Sequence, residues 1–201
     1  DFENLDKSIE SLEEHKVELV VFGGNLLKEE INEKDKELLI KKLKNIQAPL
    51  GKYTVLGDED QKFQSYEILE KAGFKLLSTS ANPIHNYGKD YIDLRSIDLE
   101  HSSFESDENI FEVLIMNDSK LAEGLENKDY DLLLAGKYLG GLVKIPFMEP
   151  FGNHSKYYKK RYDLEDKTMI LSQGLGTYDL PLRLNTNPET IIIVLEAANE
   201  S

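Results

Sequence analysis

The sequence contains no cysteine. Disulfides, thiolate zinc sites, iron–sulfur clusters and cysteine nucleophiles are therefore excluded. The absence leaves the compartment open, since a thiol-free chain suits either side of a membrane. Histidine is scarce, with only 4 in 201 residues: His15, His85, His101 and His154. Positive charge is in deficit. There are 24 Lys and Arg against 38 Asp and Glu, for a formal net charge of -14 at pH 7. Such a surface repels phosphate backbones and anionic membranes, so a nucleic-acid partner held by a basic face is excluded. No apolar run reaches the length of a membrane span, and no signal peptide is visible. The first residue is Asp rather than Met, which leads us to expect further chain upstream. Any membrane association is expected to come from a segment outside these residues. What is present suffices for a core, because 40% of the residues are hydrophobic. The length suits one domain over residues 1–201.

Short apolar runs alternate with amphipathic stretches. Leu5, Ile9 and Leu12 share a helix face. Glu18 to Phe22 reads as a buried strand and runs into the loop Gly23-Gly24-Asn25. Asn32 is placed to cap a helix carrying Leu39, Leu43 and Ile46. Tyr53 to Leu56 reads as a second strand, closed by a loop at Gly57-Asp58-Glu59-Asp60. Ser65 opens a helix stopped by Gly73. Further strands are predicted at Phe74–Leu77, Tyr91–Ile97, Phe111–Met116, Leu132–Ala135, Leu142–Ile145, Met169–Ser172 and Ile191–Leu195, with a helix around Leu121–Leu125. Alternating strands and helices followed by a β-rich end indicate one α/β domain. In such sheets, sites collect where strand C-termini meet loops.

Several familiar motifs are missing. There is no G-x-x-x-x-G-K-[ST], no G-x-S-x-G and no H-E-x-x-H, and Gly174-Leu175-Gly176 is followed by Asp179 where a dinucleotide fingerprint has glycine. The glycine-bearing loops are more informative when taken in order. They comprise Val20–Leu26, Ala48–Asp60, Val113–Asp118, Leu134–Val143 and Gly174–Leu184. This series resembles the calcineurin-like metallophosphoesterases, and within them the bacterial branch that is often membrane-associated or at the cell surface. The resemblance implies a four-layer αββα sandwich. It also implies two divalent cations between strand-end loops, which activate a water and clamp a phosphate.

Residue by residue, the ligand positions that the resemblance implies have changed. The family's G-D corresponds to Gly24-Asn25, which replaces a bridging carboxylate with an amide. Its G-N-H-D corresponds to Gly57-Asp58-Glu59-Asp60. A later histidine corresponds to Asn117, and G-H-x-H corresponds to Gly136-Lys137-Tyr138-Leu139. Leu139 has no donor atom, and a charged Lys137 cannot ligate a cation. The family's opening Asp-x-His, and the first strand that carries it, have no counterpart in the chain. None of the four histidines falls at a ligand position.

The expectation is thus a catalytically inactive metallophosphoesterase-like domain, without a metal cofactor, acting in binding or regulation. Its partner would be a protein, or a phosphorylated or cell-envelope ligand in the old cleft. One alternative is a phosphoesterase with a rebuilt one-metal or metal-free site, in which Asp58 or Glu59 is the base and Lys137 steadies phosphoryl charge. Another is a single hard cation held by the oxygens of Asn25, Asp58, Glu59 and Asn117. The basic-aromatic run Lys156–Tyr162 could stack a nucleotide or an anionic glycan. The plainer reading is a half-buried strand with solvated charges.

Overall fold

The structure is a computed structural model and describes residues 2–86, 88, 90–97, 107, 109–125, 130–136, 157, 159–164, 166–176 and 187–197. Two sheets lie face to face. The first has the order β1 (Leu19–Phe22), β2 (Gly51–Thr54), β3 (Lys75–Leu76), all parallel. The second runs β4 (Asn82–His85), β5 (Tyr91–Ser96), β6 (Phe111–Met116), β7 (Leu132–Ala135), β9 (Lys167–Leu171), β8 (Arg161–Leu164). It is parallel from β5 through β9, with antiparallel β4 and β8 at its edges.

Side-chain alternation along the strands divides the core into three layers. Leu19, Val21, Tyr53 and Val55 from the first sheet meet Ile84, Leu94, Val113, Ile115 and Leu132 from the second. The other face of the first sheet, with Val20 and Phe22, packs against α1 (Phe2–Glu14), α2 (Glu33–Asn45) and α4 (Ser65–Lys71). The other face of the second sheet, with Leu114, Met116, Leu133, Met169 and Leu171, is covered among the described residues by Ala122 and Leu125 of a 3₁₀ turn (Ser119–Gly124) and its end, and by Tyr130 and Tyr157. Helices on one side of two facing sheets, with a 3₁₀ turn on the other side, are consistent with the expected αββα sandwich.

The helices form where caps and apolar spacing direct them. Asn32 Oδ1 accepts the Asp35 N–H at 2.9 Å and starts α2. Gly73, at φ +86, ends the chain's helical run after α4. Lys52 on β2 holds both helices to the sheet. Its ammonium donates to the carbonyls of Leu43 (2.9 Å), Lys44 (3.3 Å) and Ala72 (2.7 Å), and lies over the Phe74 ring. Helix C-terminal carbonyls lack intrahelical donors and carry partial negative charge, so one cation there serves α2 and α4 together. Burial, with a contribution from Lys44, holds the Lys52 ammonium below the usual lysine value.

The structure departs from the sequence reading in five places. The second strand ends at Thr54 and does not include Val55 or Leu56. Residues 58–62 form a short helix, α3 (Asp58–Lys62), rather than an open loop. Its three leading carboxylates suit a helix N-terminus. Asn82–His85, which lies between two predicted strands and is not itself predicted as one, is an edge strand, where the missing N–H of Pro83 is tolerated. The helix around Leu121 is a 3₁₀ turn. The segment 187–197 contains no strand, and Val194 within it is 76% exposed. The strand expected at Leu142–Ile145 lies outside the described residues. No described helix is long and apolar enough to cross a membrane.

Candidate functional site

The loops after β1, β2 and β6 meet at one end of the two sheets, where parallel strands present their C-termini. They bring together Asn25, Asp58, Glu59, Asp60 and Asn117, all singled out in the sequence. Lys137 and Leu139 lie outside the described residues, as do His101 and His154.

Backbone geometry makes the meeting close. Gly24 and Asn25 are both left-handed, at φ +87 and +58. A Cβ on Gly24 would stand 2.7 Å from the Gly57 nitrogen and 2.8 Å from Asn117 Nδ2. A Cβ on Gly57 would stand 2.7 Å from Asn117 Oδ1 and closer still to the Asn25 amide. Glycine is required at both positions because the loops touch through their backbones.

Asp60 is the anchor. It is 1% exposed. Its Oδ2 accepts the N–H of Asn25 (2.6 Å) and of Gly57 (2.8 Å), and its Oδ1 accepts the N–H of Leu26 (2.9 Å). Three charge-assisted bonds thus join the loop after β1 to the start of α3. The two asparagines close the remaining gap. Asn25 Oδ1 accepts the Glu59 N–H (3.1 Å), and Asn25 Nδ2 donates to Asn117 Oδ1 (3.2 Å). Asn117 Nδ2 donates to the Gly23 carbonyl (2.6 Å). The direction of each bond fixes the next. An amide that accepts from Glu59 must offer its nitrogen to Asn117, which must then offer its own nitrogen to Gly23. Asn117 is 8% exposed, so this clasp is largely shielded from water.

The remaining two candidates differ in exposure. Asp58 is exposed in the first turn of α3, and the Glu59 carboxylate pairs with Lys62 at 2.8 Å. The hard-cation set of Asn25, Asp58, Glu59 and Asn117 is therefore gathered only in part. Its two amide oxygens accept protein N–H groups, and the Glu59 carboxylate is paired with Lys62.

The two cations implied by the resemblance were tested against this donor set. A divalent cation needs several lone pairs aimed at one point. Here the oxygens of Asn25, Asp60 and Asn117 each accept a protein N–H. Among the described residues, no group of three or more His, Asp or Glu could hold a metal ion. His15 bonds the Ser11 carbonyl through Nδ1, and the His85 ring lies tilted against Tyr91 at the far edge of the second sheet. The described residues do not fit a two-metal centre.

The described residues of the basic-aromatic run are engaged within the protein. Tyr157 is 7% exposed in the core, edge-on to Tyr162, whose hydroxyl accepts the Lys159 N–H. Lys160 pairs with Glu189, and Arg161 pairs with Asp163. Sequence reasoning missed Lys52, and it missed Asp60 as the organiser of the loops. The one available signal was Asp60 in a loop otherwise defined by glycine.

No family model matches the chain. Individual relatives do. A protein of Bacillus subtilis (strain 168) named "Uncharacterized metallophosphoesterase YkuE" is 26% identical over 214 aligned residues, covering 98% of this chain and 74% of its own length. An "Uncharacterized metallophosphoesterase" of Aquifex aeolicus (strain VF5) is 25% identical, covering 92% of this chain and 75% of its own. A second Bacillus subtilis protein, "Uncharacterized metallophosphoesterase YkoQ", is 24% identical, covering 93% of this chain and 77% of its own. Over most of its length the chain is therefore similar to proteins named metallophosphoesterases, and its layered α/β sheets are consistent with a metallophosphoesterase-type sandwich.

Proposed function

We propose that this chain is a metallophosphoesterase-like domain that has lost two-metal catalysis and serves in binding or regulation. One observation carries the reading. At two positions where the resemblance places metal ligands, Asn25 and Asn117 are joined to each other and to neighbouring backbone by hydrogen bonds, while Asp60, unchanged from the family's motif, ties the loops together. Neutral amides satisfy each other without a cation, whereas a bridging carboxylate there would need one. The scaffold persists because its loops are held by protein donors. Fold alone does not carry activity once the site has changed.

The partner suited to the cleft is a protein, or a phosphorylated or cell-envelope ligand. The overall negative charge disfavours nucleic acid. The test is an assay of phosphomonoesters and phosphodiesters with Mn²⁺, Mg²⁺ and Ca²⁺. No turnover above the metal-only blank is expected. Turnover that disappears in Asp58→Ala or Lys137→Ala would overturn the proposal in favour of a rebuilt hydrolase.

A further inference from the structure

A second polar cluster lies on the outer face of the six-stranded sheet, at the opposite end of β6 from Asn117. Asp93 and Arg95 on β5 share the face that carries Ile97, and Glu112 on β6 shares the face that carries Leu114 and Met116. Asp93 and Glu112 are directly opposed in the parallel ladder. Two carboxylates therefore stand side by side, with Asp93 3% and Glu112 1% exposed. Like charges so placed repel, and a buried charge is costly unless compensated.

Compensation is incomplete. The Arg95 guanidinium reaches Glu112 Oε1 at 2.8 Å and Asp93 Oδ2 at 3.5 Å. Asp131, just before β7, adds a third carboxylate, whose Oδ2 accepts the Glu112 N–H at 2.7 Å. The other oxygens, Asp93 Oδ1 and Glu112 Oε2, are buried without a hydrogen-bond partner. A buried carboxylate oxygen without a donor is rare in native proteins and calls for an explanation. Among the described residues, the other groups along this row are Pro83 and His85 on β4, which oppose Asp93 and Tyr91, and Lys167 on β9, whose ammonium lies 5.1 Å over the Tyr130 ring. No described trio of carboxylates here could hold a metal ion.

We propose that Glu112 retains a proton at neutral pH beside Asp93, so that Glu112 is a proton-binding site whose ionisation loosens the outer face of the second sheet. A proton on Glu112 removes the charge from its buried, unpartnered Oε2 and leaves one of two adjacent negative charges in place. Burial raises the Glu112 carboxyl above the usual glutamate value. Arg95 opposes this, and the charges of Asp93 and Asp131 add to it. A raised native value means that the folded state binds more protons than the unfolded chain above the ordinary glutamate range. This group's contribution to stability is therefore full at acid pH and is lost as pH rises through the raised value.

The experiment compares the full chain with Glu112→Gln, which mimics the protonated carboxyl, by urea unfolding from about pH 5 to about pH 9. The unfolding midpoint of the parent protein is expected to fall progressively below that of Glu112→Gln as pH rises. In parallel, infrared spectra should show the carbonyl stretch of a protonated carboxyl at neutral pH, absent in Glu112→Gln. Should that variant fail to fold, the infrared band of the parent protein, followed through the same titration, decides. A parent-to-variant difference that is constant with pH, or no protonated-carboxyl band at neutral pH, would overturn the proposal.

Discussion

Replacing Asp60 by Asn gives the sharpest test of how the strand-end loops are held. The carboxylate accepts three backbone N–H groups, from Asn25, Leu26 and Gly57, at 2.6 to 2.9 Å. Hydrogen bonds to a charged group contribute about 1.5–3 kcal/mol each, roughly twice a neutral bond. An asparagine can present only one oxygen. In its best orientation it keeps the two donors on the Oδ2 side, at neutral strength, and turns its own NH₂ toward the Leu26 N–H. One bond is lost outright, two are weakened, and a buried donor is left unpaired. The sum is a destabilisation of about 3–4 kcal/mol. For a chain of this size that corresponds to a fall of about 10 °C in melting temperature. Urea unfolding of the parent and Asp60→Asn should show a lower midpoint with an unchanged slope. A loss below about 1 kcal/mol would refute the reasoning, because three such bonds cannot be that weak together. A similar loss in the parent protein on adding a chelator would refute it differently, by showing that a metal ion holds the loops.

Other perturbations probe the same frame. Gly57→Ala places a methyl 2.7 Å from Asn117 Oδ1 and closer to Asn25, so it should cost about 1–3 kcal/mol and shift the side-chain amide resonances of Asn25 and Asn117 together. Asn25→Asp removes the donor to Asn117 Oδ1 and should destabilise the protein by about 1–3 kcal/mol at neutral pH. Part of that loss should return near about pH 4, where the new carboxyl regains a proton to donate. Lys52→Met keeps the hydrocarbon stem but removes the donor to three carbonyls, for an expected loss of about 2–3 kcal/mol with faster amide exchange at the ends of α2 and α4. Because burial depresses the native Lys52 value, the unfolded chain binds more protons at alkaline pH. The parent's advantage over Lys52→Met should therefore grow as pH rises toward the ordinary lysine range.

The sequence made visible whatever depends on near neighbours. Leu5, Ile9 and Leu12 declared α1, Asn32 declared the start of α2, and Leu132–Ala135 declared β7. The glycine loops declared where the site would sit. Pairings between distant residues were not visible. Nothing local in the chain announces that Asn25 will meet Asn117, 92 residues away, or that Lys52 will find the carbonyl of Ala72. Local chemistry also misled. Asp58-Glu59-Asp60 reads as a solvated loop, yet Asp60 is turned inward by three backbone donors while Asp58 remains outside. Asp93 and Arg95 alternate with Ile92 and Leu94 like the wet face of an edge strand. They are buried because that face of the six-stranded sheet is itself covered, a fact fixed by tertiary packing. Ile191–Leu195 has strand composition without a paired strand among the described residues, since composition states what could pair and not what does.

The central claim is that hydrogen bonds through Asn25 and Asn117 stand where the resemblance places metal ligands. Calorimetric titration of the protein with Mn²⁺, after exhaustive chelation, tests it most directly. The expected result is no saturable binding tighter than about millimolar, with an unfolding midpoint unchanged by chelator. Two equivalents of Mn²⁺ bound at micromolar or tighter affinity, weakened by Asp58→Ala, would contradict it.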